Sequence, residues 1–419
     1  MIIVTIVSVD LGGRAHREPQ GMNGYDLSTP EVRANPWSLY AKLRADSGIH
    51  QVGPLDHYLV ARYADVVAAL ERTDDFSSLE MANQLGPIDA LASISGGESR
   101  DLPPTIISSD NPIHNRLRLI MQRRFSPRAV GKIEGPIRSL TDSLIASIVE
   151  RGECDLVRDF TVPLPVIVIA QLLGIEEERF EDFKRWSDSL IALPDARDEE
   201  RQRHLGEIIQ LAQYFLAMAD KRRTEPADDL ISVLVEAERE GNRISTREVL
   251  AFAILLMVAG NETTTNLIGG MVDAFLDNPD QLAMLQADPA LLRNAVEEGL
   301  RYCSRVQGLF RNATRDVELA GTLIPEGAPL MVCYASANRD PAIFNDPDRF
   351  DITRDARRHV AFGRGLHFCL GANLARREAR IAIEKLLPIL PRLRRVREER
   401  EWVDSWFLRG PKTLPLVLD

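Results

Sequence analysis

Residues 245–279 set the strictest condition on how this chain can fold. Ser245-Thr246-Arg247-Glu248 has the form of a capping box, and the pattern behind it stays helical as far as Asp277, where Asn278-Pro279 stops it. At 1.5 Å per residue that is a rod of roughly 48 Å. Its first part, Val249 to Val258, is apolar all round, which requires burial through the molecular centre. Then Ala259-Gly260-Asn261-Glu262-Thr263-Thr264-Thr265-Asn266 abandons the pattern. Glycine, asparagine and threonine are poor helix formers, and threonine hydroxyls compete for the i−4 carbonyls. A packing kink is one explanation; a functional demand is the other.

A second stretch is equally unusual. Ala361-Phe362-Gly363-Arg364-Gly365-Leu366-His367-Phe368-Cys369-Leu370-Gly371-Ala372 places one cysteine in a glycine-rich loop, and Asn373 to Arg380 opens a helix behind it. Glycines at 363, 365 and 371 allow a sharp turn and close approach to a flat object. Orphan N–H groups at a helix opening face the sulfur and favour its thiolate, a strong ligand for a soft or borderline metal. A lone cysteine is more often core. A dinucleotide loop is excluded, because the third glycine that fingerprint needs is replaced by Phe368.

The string Phe362-Gly363-x-Gly365-x-His367-x-Cys369-x-Gly371 resembles the haem-binding loop of the cytochrome P450 family, with every position of the pattern filled. The resemblance implies a mainly α fold with small β-sheets, holding haem b between the long helix and the cysteine loop. Cys369 would be the axial ligand of the iron, its anionic sulfur favouring O–O cleavage, and His367 would reach a propionate. His114 and Arg118 lie at i and i+4 in Asp110-Asn111-Pro112-Ile113-His114, where Asn111 can cap a helix with Pro112 at its first position. On spacing alone they form a solvated basic face; they also resemble the family's His-x-x-x-Arg propionate pair, with Arg311 the third partner. Residues 259–263 resemble the family's oxygen-activating motif. By that likeness Ala259 and Gly260 leave room for O2, Thr263 hydrogen-bonds it and Glu262 relays protons.

Glu298 and Arg301 match a Glu-x-x-Arg hallmark, and Arg349 in Pro347-Asp348-Arg349-Phe350 matches the third member of a buried structural charge network. By the same analogy the substrate pocket is lined by Leu255, Val258 and Ala259, by Gln307 and Leu309, and by Trp406, Phe407 and Leu408, with Gln307 its clear polar handle. Such a pocket suits an apolar substrate of terpenoid, steroid or fatty-acid type. Residues 79–105 would be a loop belonging to the lid, and helices over 180–193 and 199–222 the movable roof; an ordinary helical hairpin would look the same.

The resemblance covers residue 25 onward, so one domain over 25–419 is expected behind an N-terminal extension, 1–24. The opening Met1 to Val7 is too short to span a membrane and is a poor signal peptide. A net charge of −11 argues against nucleic acid. Cysteines at 154, 303, 333 and 369 offer no close pair for zinc or an iron–sulfur cluster and fit a reducing cytoplasm. With no flavin or ferredoxin domain visible, electrons would come from NAD(P)H through a reductase and a ferredoxin or flavodoxin. Arg116, Arg123, Arg124, Arg364, Arg376, Arg377 and Arg380 suggest a basic docking face, though each taken alone is equally a solvated arginine. The expected reaction is insertion of one oxygen atom from O2 by a monomeric monooxygenase. Coupling, desaturation or peroxide-driven oxidation, and a haem-binding sensor without turnover, are the alternatives.

Overall fold

The computed structural model describes residues 29–52, 57–79, 103, 105–193, 196, 198–239, 244–405 and 407–419. The predicted N-terminal extension, most of the lid segment 79–105 and Trp406 lie outside them.

The long helix spans Thr246–Asp277, and both halves of its capping box form: Ser245 Oγ accepts from the Glu248 N–H, and the Ser245 N–H donates to the Glu248 carboxylate. It runs unbroken through the polar insertion. Two of the polar side chains there reach partners outside the helix, while Thr263 bonds back to the Ala259 carbonyl. Asn261 Nδ2 donates to Ser187 Oγ at 3.1 Å and Thr265 Oγ1 to the Thr161 carbonyl at 2.9 Å. By composition this helix could cross a membrane, but most of it is buried inside the protein. Phe252, Met257, Leu267, Met271 and Phe275 belong to the main core, with Leu374, Ile381 and Ile383 of the helix Ala372–Leu386.

The pair predicted as a roof is present as Phe180–Ala192 and Asp198–Thr224. A five-stranded sheet runs in the order Ile49–Val52, His57–Val60, Pro329–Val332, Leu309–Ala313, Phe76–Ser77. His57–Val60 lies parallel to Pro329–Val332, and the other three pairings are antiparallel. A three-stranded sheet joins Glu153–Asp155, Pro415–Leu418 and Leu393–Arg395. The C-terminal segment then returns to the start of the described chain. Arg33 pairs with Asp404, Arg409 Nη1 donates to the Arg33 carbonyl at 2.7 Å, and the Arg409 guanidinium stacks on Trp402 at 3.7 Å and faces Trp37 at 5.6 Å.

Glu298 and Arg301 are fully buried and bonded through two guanidinium nitrogens, Nε at 2.7 Å and Nη2 at 2.8 Å. Arg349 is not their third member. Its side chain is exposed and it contributes only a backbone carbonyl, 3.1 Å from Arg301. Arg354 folds back instead, with Nε 3.3 Å from Glu298 Oε1. A buried carboxylate beside one guanidinium gains from a second cation, and the turn after Phe350 delivers Arg354.

Candidate active site

On the otherwise buried central helix, Leu255, Val258, Glu262 and Thr263 are half-buried and Ala259 is exposed. Their spacing of 3, 4 and 7 residues puts them on one face, which therefore looks into open space. Gly260 is on another side: a Cβ there would meet Ile169 Cγ1 at 3.2 Å. This corrects the expectation that Gly260 makes room for O2; it lets the helix Pro163–Leu173 approach. Thr263 Oγ1 donates to the Ala259 carbonyl at 2.8 Å, so its oxygen keeps only accepting capacity. Burial, with Asp188 adding to it and Lys184 opposing, pushes the Glu262 carboxyl up to about 7. Asp188 and Lys184 pair at 2.6 Å on the roof helix.

The cysteine loop turns through Gly363 and Gly365, at φ +66° and +67°, values an L side chain adopts only with strain. Gly371 is not needed for the turn; its φ is −82° and its Cβ side is open. The Cys369 N–H donates to the Phe362 carbonyl at 2.9 Å. The N–H groups of Gly371 and Ala372 face the sulfur, as do the charges of Arg118 and Arg376, yet burial outweighs them and pushes the thiol up. Ligation to a metal is what would remove the proton.

His114, Arg118, Arg311 and His367 come together from three separate segments. His114 and His367 rings stand edge to face at 4.5 Å. The His114 ring is fully buried with neither nitrogen hydrogen-bonded. Burial and Arg118 push it down, and burial with Arg311, His114 and Arg118 pushes His367 down to about 3. His367 Nε2 lies 3.1 Å from Ser78 Oγ, Arg118 donates to the Phe368 carbonyl at 2.8 Å, and Arg311 is 2 % exposed. Such a cluster is short of negative charge. It fits the carboxylates of a flat macrocycle seated between Cys369 and the face around Ala259. Asn111 does not cap the helix carrying His114, which spans Ile113–Met121 behind Pro112 without a side-chain cap.

Gln307 is not a pocket handle. It is buried, with its amide donating to the Ser304 carbonyl at 2.7 Å and accepting from Tyr40 Oη at 3.0 Å. Leu309 and Phe407 are half-buried, and Val306 bridges Leu408 beside them. Glu378 was not singled out by sequence. It is 2 % exposed, bonded to the Thr264 side chain, and burial pushes it up to about 8. Its position among Leu374, Ile381 and Ala382 was the available signal: an acid on the apolar stripe of a helix.

A cysteine loop, a donor-rich pocket for two carboxylates and an apolar helix face opposite are the parts of a haem-thiolate oxygenase. The chain belongs to the cytochrome P450 family, whose sequence model matches residues 169–389. It is 41 % identical to cytochrome P450 107B1 of Saccharopolyspora erythraea over 90 % of this chain and 93 % of that one. It is 38 % identical to the vitamin D(3) 25-hydroxylase of Pseudonocardia autotrophica over 95 % and 97 %. The structure of CYP109Q5 from Chondromyces apiculatus superposes with a TM-score of 0.85 at 41 % identity, covering 94 % of this chain and 98 % of that one. The protein is a cytochrome P450 monooxygenase, and its cofactor is haem b.

Proposed function

We propose that this monooxygenase hydroxylates or epoxidises a bulky apolar substrate of steroid, terpenoid or fatty-acid type. The open stripe Leu255, Val258, Ala259, Glu262 and Thr263 carries the reading: two aliphatic side chains and one alanine border a single acid–alcohol pair. With Gln307 turned away, shape rather than a hydrogen-bond handle selects the substrate pose. The 25-hydroxylase relative acts on a ligand of this kind.

The bound haem supplies the activation of dioxygen. Around it, Cys369 holds the iron, with the Gly371 and Ala372 N–H groups orienting the sulfur. His114, Arg118, Arg311 and His367 hold the propionates. Ala259 leaves space at the reaction face, and Thr263 Oγ1 accepts a hydrogen bond there while its own O–H donates to the Ala259 carbonyl. Glu262, whose carboxyl burial pushes up to about 7, passes protons inward to that face. Thr263→Ala should therefore raise reductant consumption per product several-fold; unchanged coupling would refute the proton-delivery role.

Electrons would arrive from a ferredoxin or flavodoxin on the cysteine side. Arg116, Arg124, Arg364, Arg376, Arg377 and Arg380 are all ion-paired, to Glu248, Asp228, Glu71, Glu297, Glu134 and Glu134 respectively. Arg123, Arg128 and Lys132 are exposed and carry the docking charge instead. Titration of the purified protein with testosterone and myristate, followed by the haem spectrum, tests the substrate class. Response only to hydrophilic ions would overturn it.

A further inference from the structure

Behind the cysteine loop lies a charge cluster that the reaction does not consume. Arg376 makes a two-pronged contact with Glu297, Nε to Oε1 at 2.7 Å and Nη2 to Oε2 at 2.9 Å. Glu297 also lies 3.1 Å from His359 Nε2, whose Nδ1 accepts the Ala361 N–H at 3.1 Å, which assigns the proton to Nε2. The carboxylate is thus held from two sides, and these contacts overcome its burial to keep it at about 2. The Arg376 guanidinium lies over the Phe362 ring, 4.6 Å from its centroid. Phe362 in turn accepts the Cys369 N–H through its backbone carbonyl at 2.9 Å, and Arg376 stands in the first turns of the helix Ala372–Leu386 that opens just behind the sulfur.

We infer that Glu297 and Arg376 form a positioning pair that sets how strongly the Cys369 thiolate donates to the iron. The cation draws electron density toward the Phe362 side of the sulfur, and Glu297 limits that pull by neutralising most of its charge. His359 fixes the carboxylate so that the balance is constant. The geometry is a fork against a carboxylate, which is rigid and directional. Neither residue touches the reacting atoms, so neither is catalytic. Both border a groove of about 500 Å3 with Val130, Val296 and Arg293, so the pair borders solvent rather than being sealed in the core.

The inference rests on Cys369 being the haem ligand. It makes a prediction of sign that mere structural support would not. Glu297→Gln leaves the Arg376 charge unopposed and should move the ferric–ferrous midpoint potential to more positive values. Arg376→Gln leaves Glu297 unopposed and should move it to more negative values. The double variant removes both charges and should return close to the wild type. Spectroelectrochemical titration of the haem-loaded proteins reads all three, with the Soret position of the ferrous–CO form checking ligation. Shifts in the same direction, or none, overturn the inference. Glu297→Gln is nearly isosteric and decides the matter alone should the arginine variants fail to take up haem. A wild type without the red-shifted thiolate band would instead defeat the assignment of Cys369, so the two failures are separable.

Discussion

Glu378→Gln should change how stability depends on pH, and the size of the change follows from burial. The carboxyl is held at about 8 in the folded protein, against ~4.3 for an unperturbed glutamate. The folded state therefore binds this proton more tightly than the unfolded chain. The resulting stabilisation is complete below pH ~4 and is lost as pH rises through the folded value. Between pH 6 and pH 8 the loss integrates to about 2 kcal/mol, taking ~1.4 kcal/mol per pH unit. Glutamine keeps the shape and a hydrogen bond for Thr264 but has no proton to lose. Urea unfolding followed by tryptophan fluorescence, on both haem-loaded proteins at constant ionic strength, should show the variant gaining on the wild type by about that amount from pH 6 to 8. A gap that does not change with pH, or that closes as pH rises, would refute the claim that Glu378 is protonated in the fold.

The Glu262 carboxyl at about 7 predicts that product formation per electron falls as pH rises through neutrality, because the acid form that hands on a proton is depleted. Glu262→Gln should lower turnover and flatten that dependence, measured as product against NAD(P)H consumed from pH 6 to 8. Arg354→Met should cost about 3 kcal/mol by stranding part of the buried Glu298 charge, whereas the exposed Arg349→Ala should cost within ~0.5 kcal/mol; urea midpoints separate the two. Gln307→Leu should lower stability by about 1–2 kcal/mol, through the lost Tyr40 bond, and leave substrate affinity within twofold in a spectral titration.

What the sequence disclosed is what local chemistry dictates. The capping box, the all-round apolar run and the glycine spacing before Cys369 all act within a few residues, and each appears where the spacing placed it. Errors arose where a side chain's partner lies far along the chain. Gln307 reads as a pocket handle until Tyr40, 267 residues away, takes its amide. Arg349 and Arg354 are indistinguishable in an irregular stretch, since only the turn decides which reaches Glu298. Gly260 adjoins Ala259 in the chain but faces another side of the helix, where Ile169 is its neighbour. Burial likewise opposes the N–H groups around Cys369, because the count of donors says nothing about how much water the fold removes.

The closure of Arg409 and Asp404 onto Arg33 and Trp37 has a consequence for how the protein comes into being. Asp404 and Arg409, which flank the segment carrying Phe407 and Leu408, are held by contacts to a residue made some 370 positions earlier. The central helix and the cysteine loop both precede the segment that closes this clasp. The segment carrying Phe407 and Leu408 therefore cannot be fastened until residues separated by nearly the whole described sequence have met.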